Sequence, residues 1–202
     1  MMYLAINPSE ERPAIINLVA GYLKLGKIVV LPTDTIYGFS CLASNQAAIK
    51  HIYRLKKRDP KTASAVLVSS LAMLKKYVFV SRRQEQLLKL YWRSGVRATT
   101  VILYHRRQLP PELTGGSDGL ALRLPKSKFL IKILNRVGTP LVSTSLNISR
   151  VAPIADLKEL YAHFPTVKRD FDLVVDAGKC RRKKPSRLID LRNPAAPLIL
   201  RK

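Results

Sequence analysis

Acidic side chains are scarce. The chain of 202 residues holds 13 Asp and Glu against 36 Lys and Arg, a formal net charge of +23. The shortage is even along its length: residues 1–100 carry 16 basic and 5 acidic side chains, residues 101–202 carry 20 and 8. That excludes a basic tail on a neutral body. A body so charged attracts polyanions, nucleic acid first and phosphate-rich small substrates second. Two cysteines, Cys41 and Cys180, are too few for a disulfide scaffold or a zinc ribbon. Three histidines, His51, His105 and His163, stand far apart and show no ligand spacing. Long apolar runs are missing too: Ile28–Leu31 falls well short of the roughly 18 residues of a spanning helix. The opening MMYLAINPSEER lacks the basic and apolar regions of a secretory signal. A reducing cytoplasm and no membrane are therefore expected.

What remains can build a substantial core, since 47% of the residues are apolar. Pro13 suits the first turn of a helix to Leu25, with Ile15, Ile16, Val19 and Leu23 on one side and Gly26 as its stop. A buried strand follows in KIVVLP. Asn45 starts a second helix that Asp59-Pro60 ends, and Ser64–Val68 reads as a strand. Ser81 and Gln84 have capping-box spacing for a helix over Glu85–Tyr91. Further strands are predicted over Thr99–Tyr104, Leu120–Leu124, Leu141–Thr144, Leu173–Val175, Arg187–Leu191 and Leu198–Arg201. Residues 105–119 form a loop, and helices follow Ser127 and Asp156. This alternation predicts an α/β fold with a mixed sheet, one domain over residues 1–202. Gly21–Lys27 matches the start of a phosphate-binding P-loop, but it ends a helix and enters a strand, the reverse of what that loop needs.

Four segments crowd polar residues at the ends of apolar strands, where open α/β sheets hold ligands. In Pro32-Thr33-Asp34-Thr35-Ile36-Tyr37-Gly38, two hydroxyls flank a carboxylate and a glycine allows close backbone approach; the plain alternative is a polar turn capped by Asp34. Lys56-Lys57-Arg58 at a helix C-terminus suits either the helix dipole or neighbouring phosphates. Ser143–Ser149 gathers four hydroxyls and an amide, donors for phosphate oxygens or ordinary turn formers. Arg123, inside the apolar strand LALRLP, requires an acid of the protein or a ligand carboxylate.

In this order the motifs resemble the YrdC/TsaC family of threonylcarbamoyl-adenylate synthases. PTDTIYGF, KKR, TTVIL, LALRLP, PLVSTSLNIS, PSRLID and LILR follow the family pattern from about residue 12 to 201. The resemblance implies a YrdC-like fold: a twisted mixed sheet with flanking helices around a deep basic cleft, in the short single-domain form. It implies that L-threonine, bicarbonate and ATP give threonylcarbamoyl-AMP and pyrophosphate, with Mg2+ expected on the ATP. A separate transferase complex would then modify tRNA. Carried over by motif, Lys56 and Arg58 would neutralise ATP phosphates, Ser145 and Asn147 would bind the adenylate side, and Arg201 would contact nucleotide. Thr33, Arg123, Ser143 and Ser186 would surround threonine, with Arg123 on its carboxylate.

The chain departs from the pattern at four places. Ser94–Ala98 stands where P-G-P is usual, Leu146 replaces the small residue of S-A-N and adds bulk beside the nucleotide, and Arg150 replaces a glycine. Arg187 replaces a threonine; it and Arg150 either add phosphate contacts or mark drift of the pocket. The net charge supports a second reading, a non-catalytic YrdC-like module binding tRNA or other RNA, with Arg181–Lys184 among the basic clusters that would meet it. An adenylating or carbamoylating enzyme acting on another acceptor is a third.

Overall fold

The computed structural model describes residues 1–7, 12–165, 170–180 and 185–202. The Arg181–Lys184 cluster lies outside them. Strands β1 (Met2–Ala5), β2 (Val29–Leu31), β3 (Gly38–Leu42), β4 (Val66–Leu67), β5 (Thr99–Tyr104), β6 (Gly119–Arg123), β7 (Leu141–Ser145), β8 (Leu173–Asp176), β9 (Arg187–Asp190) and β10 (Leu198–Arg201) share one sheet. Their order is β1-β8-β2-β3-β7-β4-β6-β5-β9-β10. Pairs β1–β8, β2–β8, β4–β6 and β5–β9 are parallel and the rest antiparallel, the mixed sheet expected.

Helices α1 (Pro13–Lys24), α2 (Gln46–Leu55), α3 (Leu71–Tyr77), α4 (Arg82–Trp92), α5 (Lys128–Val137) and α6 (Leu160–His163) cover both faces. Several start where their caps predict. Asn45 accepts from Ala48 N, Ser127 from Leu130 N, and Ser81 with Gln84 completes a capping box. Gly26, at φ +76°, stops the turn after α1, so the P-loop match is a helix end.

Side chains alternate across each strand, and the core follows that period. Val29, Leu31, Leu67, Leu141, Leu173 and Val175 pack under α1 and α5 on one face. Val30, Val66, Val142 and Val174 join Phe39, Phe164 and Phe171 on the other, with α2 and α4. Three predictions change. The second helix ends at Leu55 because Lys57 adopts φ +47°, well before Asp59-Pro60. Asp156 caps a single 3-10 turn, Leu157–Glu159, that leads into the four-residue α6. Strands β1 and β3 and the short α3 are additional. No helix among the described residues is long and apolar enough to cross a membrane.

Candidate active site

Beyond the edge of α1 and α5, the same face of the sheet carries small or polar side chains: Ala65, Thr100, Ala121 and Ser143. Side chains of that size leave the sheet uncovered as a hollow. This inner cavity, of about 240 Å³, is also lined by Thr33, Arg58, Arg123, Ser145, Ser186 and Arg201. A wider outer cavity of about 700 Å³ adjoins it, with Lys56, Asn147 and Arg150 in its wall. Arg58 and Ser145 belong to both. All nine residues singled out from the motifs therefore lie on two connected hollows, although they come from six separate stretches of chain.

The inner cavity is cationic. Arg123, 6% exposed, faces Asp34 with Nη1 3.3 Å from Oδ1, an ion pair without hydrogen-bond alignment. Burial pulls the Arg123 pKa down and Asp34 pulls it up. Among the described residues its guanidinium makes no hydrogen bond, so its N–H groups are available to a ligand. Across the cavity, Arg201 donates from Nε to Ser186 O at 2.9 Å and from Nη2 to Ser186 Oγ at 3.3 Å. Ser186 Oγ in turn lies 2.8 Å from Thr100 Oγ1. Burial, then Arg97 and Arg123, lower the pKa of Arg201. Arg201, expected on the nucleotide side, thus lies on the same hollow as Arg123.

Lys56 is the C-cap of α2 and only 1% exposed. Its Nζ donates to Ser145 O at 2.5 Å, Asn147 O at 2.9 Å and Asn147 Oδ1 at 2.9 Å. An ammonium has three hydrogens, and all are used on this loop. Ser145 Oγ also donates to Asn147 Oδ1 at 2.5 Å, and the Asn147 amide donates to Ile148 O and Val151 O. Burial first and Arg58 second lower the Lys56 pKa from 10.5 to about 7. Arg58 sits over the Tyr53 ring at 5.5 Å and donates to Ala63 O at 2.5 Å. The ring is itself fixed: the Tyr53 hydroxyl lies 2.8 Å from Thr62 O, 2.9 Å from Ser64 Oγ and 3.0 Å from Glu112 O, with its one hydrogen to donate.

Three local readings need correcting. Thr33, not Asp34, caps the turn after β2: its Oγ1 accepts from Thr35 N and Ile36 N. Gly38 does line the inner cavity, and its lack of a side chain also lets β7 approach, since a Cβ there would lie 2.9 Å from Thr144 O. Leu146 adds no bulk to the cavity. It is wholly buried in the core while Ser145 and Asn147 face the hollows, and period-two alternation from Ser143 would have placed it there. Arg187 lines neither cavity and stacks on the Tyr91 ring at 5.1 Å. Thr35 and Thr144, hydroxyls of two of the polar segments but given no role there, and Thr100 of the TTVIL strand also line the inner cavity.

The family model for Sua5, YciO and YrdC proteins, described as telomere recombination, matches residues 21–202. A threonylcarbamoyl-AMP synthase of Thiobacillus denitrificans is 32% identical over 187 residues, 92% of this chain and 96% of that protein. The crystal structure of Pyrococcus abyssi Sua5 complexed with L-threonine superposes with a TM-score of 0.83 at 26% identity, over 99% of this chain. The match spans 56% of that longer chain. Escherichia coli YciO, at 22% identity and a TM-score of 0.81 over all of this chain, shares the fold.

Proposed function

The chain belongs to the Sua5/YciO/YrdC family, and on that premise we propose that it is an L-threonylcarbamoyladenylate synthase, a nucleotidyltransferase that supplies tRNA modification in the cytoplasm. The observation that carries this reading is the pair of connected cavities sharing Arg58 and Ser145. Two anionic substrates can meet there.

In this reading the inner cavity takes threonine. The guanidinium of Arg123 pairs with its carboxylate, and Thr33, Ser143 and Ser186 receive its polar groups. The threonine amine adds to bicarbonate with loss of water, giving a carbamate. A carbamate oxygen attacks the α-phosphorus of ATP, the bond from α-phosphorus to bridging oxygen breaks, and pyrophosphate leaves with that oxygen. No covalent enzyme intermediate is needed, so positioning and fixed charge supply the catalysis. Arg58 at the junction meets charge building on the phosphates. Ser145 and Asn147 hold the adenylate side. Lys56 adds its charge through the loop it fixes, since its hydrogens are engaged there. Among the described residues no group of three His, Cys, Asp or Glu side chains could hold a metal, and Asp34 is committed to Arg123. We therefore assign the expected Mg2+ to the nucleotide's phosphates, with Asp59 the carboxylate on that wall.

The test is direct. Purified protein with ATP, threonine and bicarbonate should yield threonylcarbamoyl-AMP by mass spectrometry together with stoichiometric pyrophosphate. Pyrophosphate release that does not depend on threonine would overturn the reading. The net charge of +23 favours a second role, docking tRNA and the transferase complex on the basic surface. It predicts tRNA affinity falling linearly in log K against log salt. Salt-sensitive tRNA binding without adenylate formation would favour a non-catalytic RNA-binding module instead.

A further inference from the structure

Four of the five phenylalanines are buried, whereas Phe79 stands 53% exposed on a surface rich in charge. It follows α3, and the antiparallel bridge between Val78 and His105 sets it opposite Tyr104, itself 46% exposed. Phe79 N donates to Tyr104 O at 2.9 Å, so the two rings leave adjoining backbone on one side. They line a groove of about 420 Å³ with Ser81, Arg106 and Arg192. No residue of this groove lines either cavity of the candidate active site. Along β5, Tyr104 is four residues from Thr100 of the inner cavity, roughly 13 Å.

Guanidinium planes extend both rings. Arg106 sits over Phe79 at 4.3 Å and Arg192 over Tyr104 at 5.8 Å. The charge of Arg192 is answered by Asp190 and Asp118. Arg82, Arg83 and Arg107 adjoin Ser81 and Arg106 in the chain and are exposed. Among the described residues their side chains make no hydrogen bond or ion pair. Arg82 and Arg83 also open α4, where the helix dipole disfavours positive charge, so helix stability does not account for them. The nearby Glu85 is engaged by Lys75 and Lys89. Exposed rings among uncommitted arginines are the chemistry that takes splayed bases on their faces and phosphates at their sides.

We propose that Phe79 and Tyr104 form a stacking platform for unpaired bases of RNA, with Arg82, Arg83 and Arg107 on the flanking phosphates. The platform rests on the RNA-docking role given above and is independent of the synthase assignment. Fluorescence anisotropy with the purified chain compares an RNA of about 12 unpaired nucleotides with the same strand in a duplex. The unpaired strand should bind more tightly. Phe79→Ala should weaken its binding about tenfold, the loss of one stacked base, with duplex affinity and salt slope unchanged. Phe79→Trp, which restores a ring, should bind within about threefold of the original. Arg82→Gln combined with Arg83→Gln should instead flatten the slope of log K against log salt by about 1.4, two phosphate contacts. A melting midpoint within about 4 °C of the original checks that Phe79→Ala is folded; Tyr104→Ala, expected to show the same loss, serves if it is not. Alanine variants that bind the unpaired strand as tightly as the original would overturn the platform and leave the docking role standing. An original protein that binds no RNA would remove both. Displacement of the RNA by polyglutamate at matched charge would mark a surface for acidic protein and likewise overturn the proposal.

Discussion

Replacing Lys56 by methionine keeps the length of the side chain and removes its charge and three hydrogens. Two of the three acceptors keep a partner, since Ser145 O still receives Asn147 N and Asn147 Oδ1 still receives Ser145 Oγ. Asn147 O alone is orphaned, at about 1–3 kcal/mol. Against this stands the cost of burying the ammonium. A pKa lowered from 10.5 to about 7 corresponds to about 5 kcal/mol of folding penalty at neutral pH and below. Lys56→Met should therefore be as stable as the parent at pH 7, or more so, while threonine-dependent pyrophosphate release falls about a hundredfold because the Ser145–Asn147 loop loses its anchor. The sign of the pH dependence follows from proton counting. Between about pH 7 and 10.5 the unfolded parent binds the lysine proton and the folded parent does not, so parental stability rises with pH through this window. The variant lacks that rise. Urea unfolding at pH 7 and 9.5 should show the difference between the two proteins moving by about 3 kcal/mol in the parent's favour. Activity within threefold of the parent, or a difference that stays flat over this window, would refute the reasoning.

Arg123→Met should destabilise by about 3–5 kcal/mol, because it leaves Asp34 buried beside no countercharge. Adding Asp34→Asn should restore most of the stability in urea titrations but not threonine binding by calorimetry; recovery of binding would remove Arg123 from the carboxylate's partners. Gly38→Ala places a Cβ 2.9 Å from Thr144 O and must push β3 from β7. A loss of about 1–3 kcal/mol in urea unfolding is expected, and an unchanged midpoint would show that the sheet yields there freely.

Much of this architecture is written in local chemistry. The caps Asn45, Ser81 and Ser127 announce their helices by residue type and spacing alone. Thr99–Tyr104 is legible from its β-branched run. Less legible elements have physical reasons. Strand β1 is four mostly exposed residues whose pairing with β8 lies about 170 residues away in sequence, and α3 is too short for a period to emerge. Strand β3, GFSCL, begins on a glycine and buries a serine, so it shows neither alternation nor a clean apolar run. At the site, the order of motifs identified residues that the fold gathers around two hollows. Their partnerships were not readable. Whether Arg123 meets Asp34, whether Lys56 spends its hydrogens on protein, and whether Arg187 turns to Tyr91 depend on contacts between distant segments. The left-handed residue at Lys57 closes α2, with Lys57 N bonded to Arg54 O and Arg58 N to Tyr53 O; it and Arg150 were hidden because neither is the glycine that usually marks such a turn.

Strand β10 is paired on one side only, with β9, yet it brings Arg201 to the inner cavity. An outermost ribbon with exposed Leu198, Ile199 and Leu200 is the part of a sheet that opens at least free-energy expense. One wall of the hollow is thus drawn from the least cooperative margin of the molecule. Whatever anion bridges Arg201 to Arg123 will fasten that margin, and amide exchange along Leu198–Arg201 will slow in proportion to occupancy.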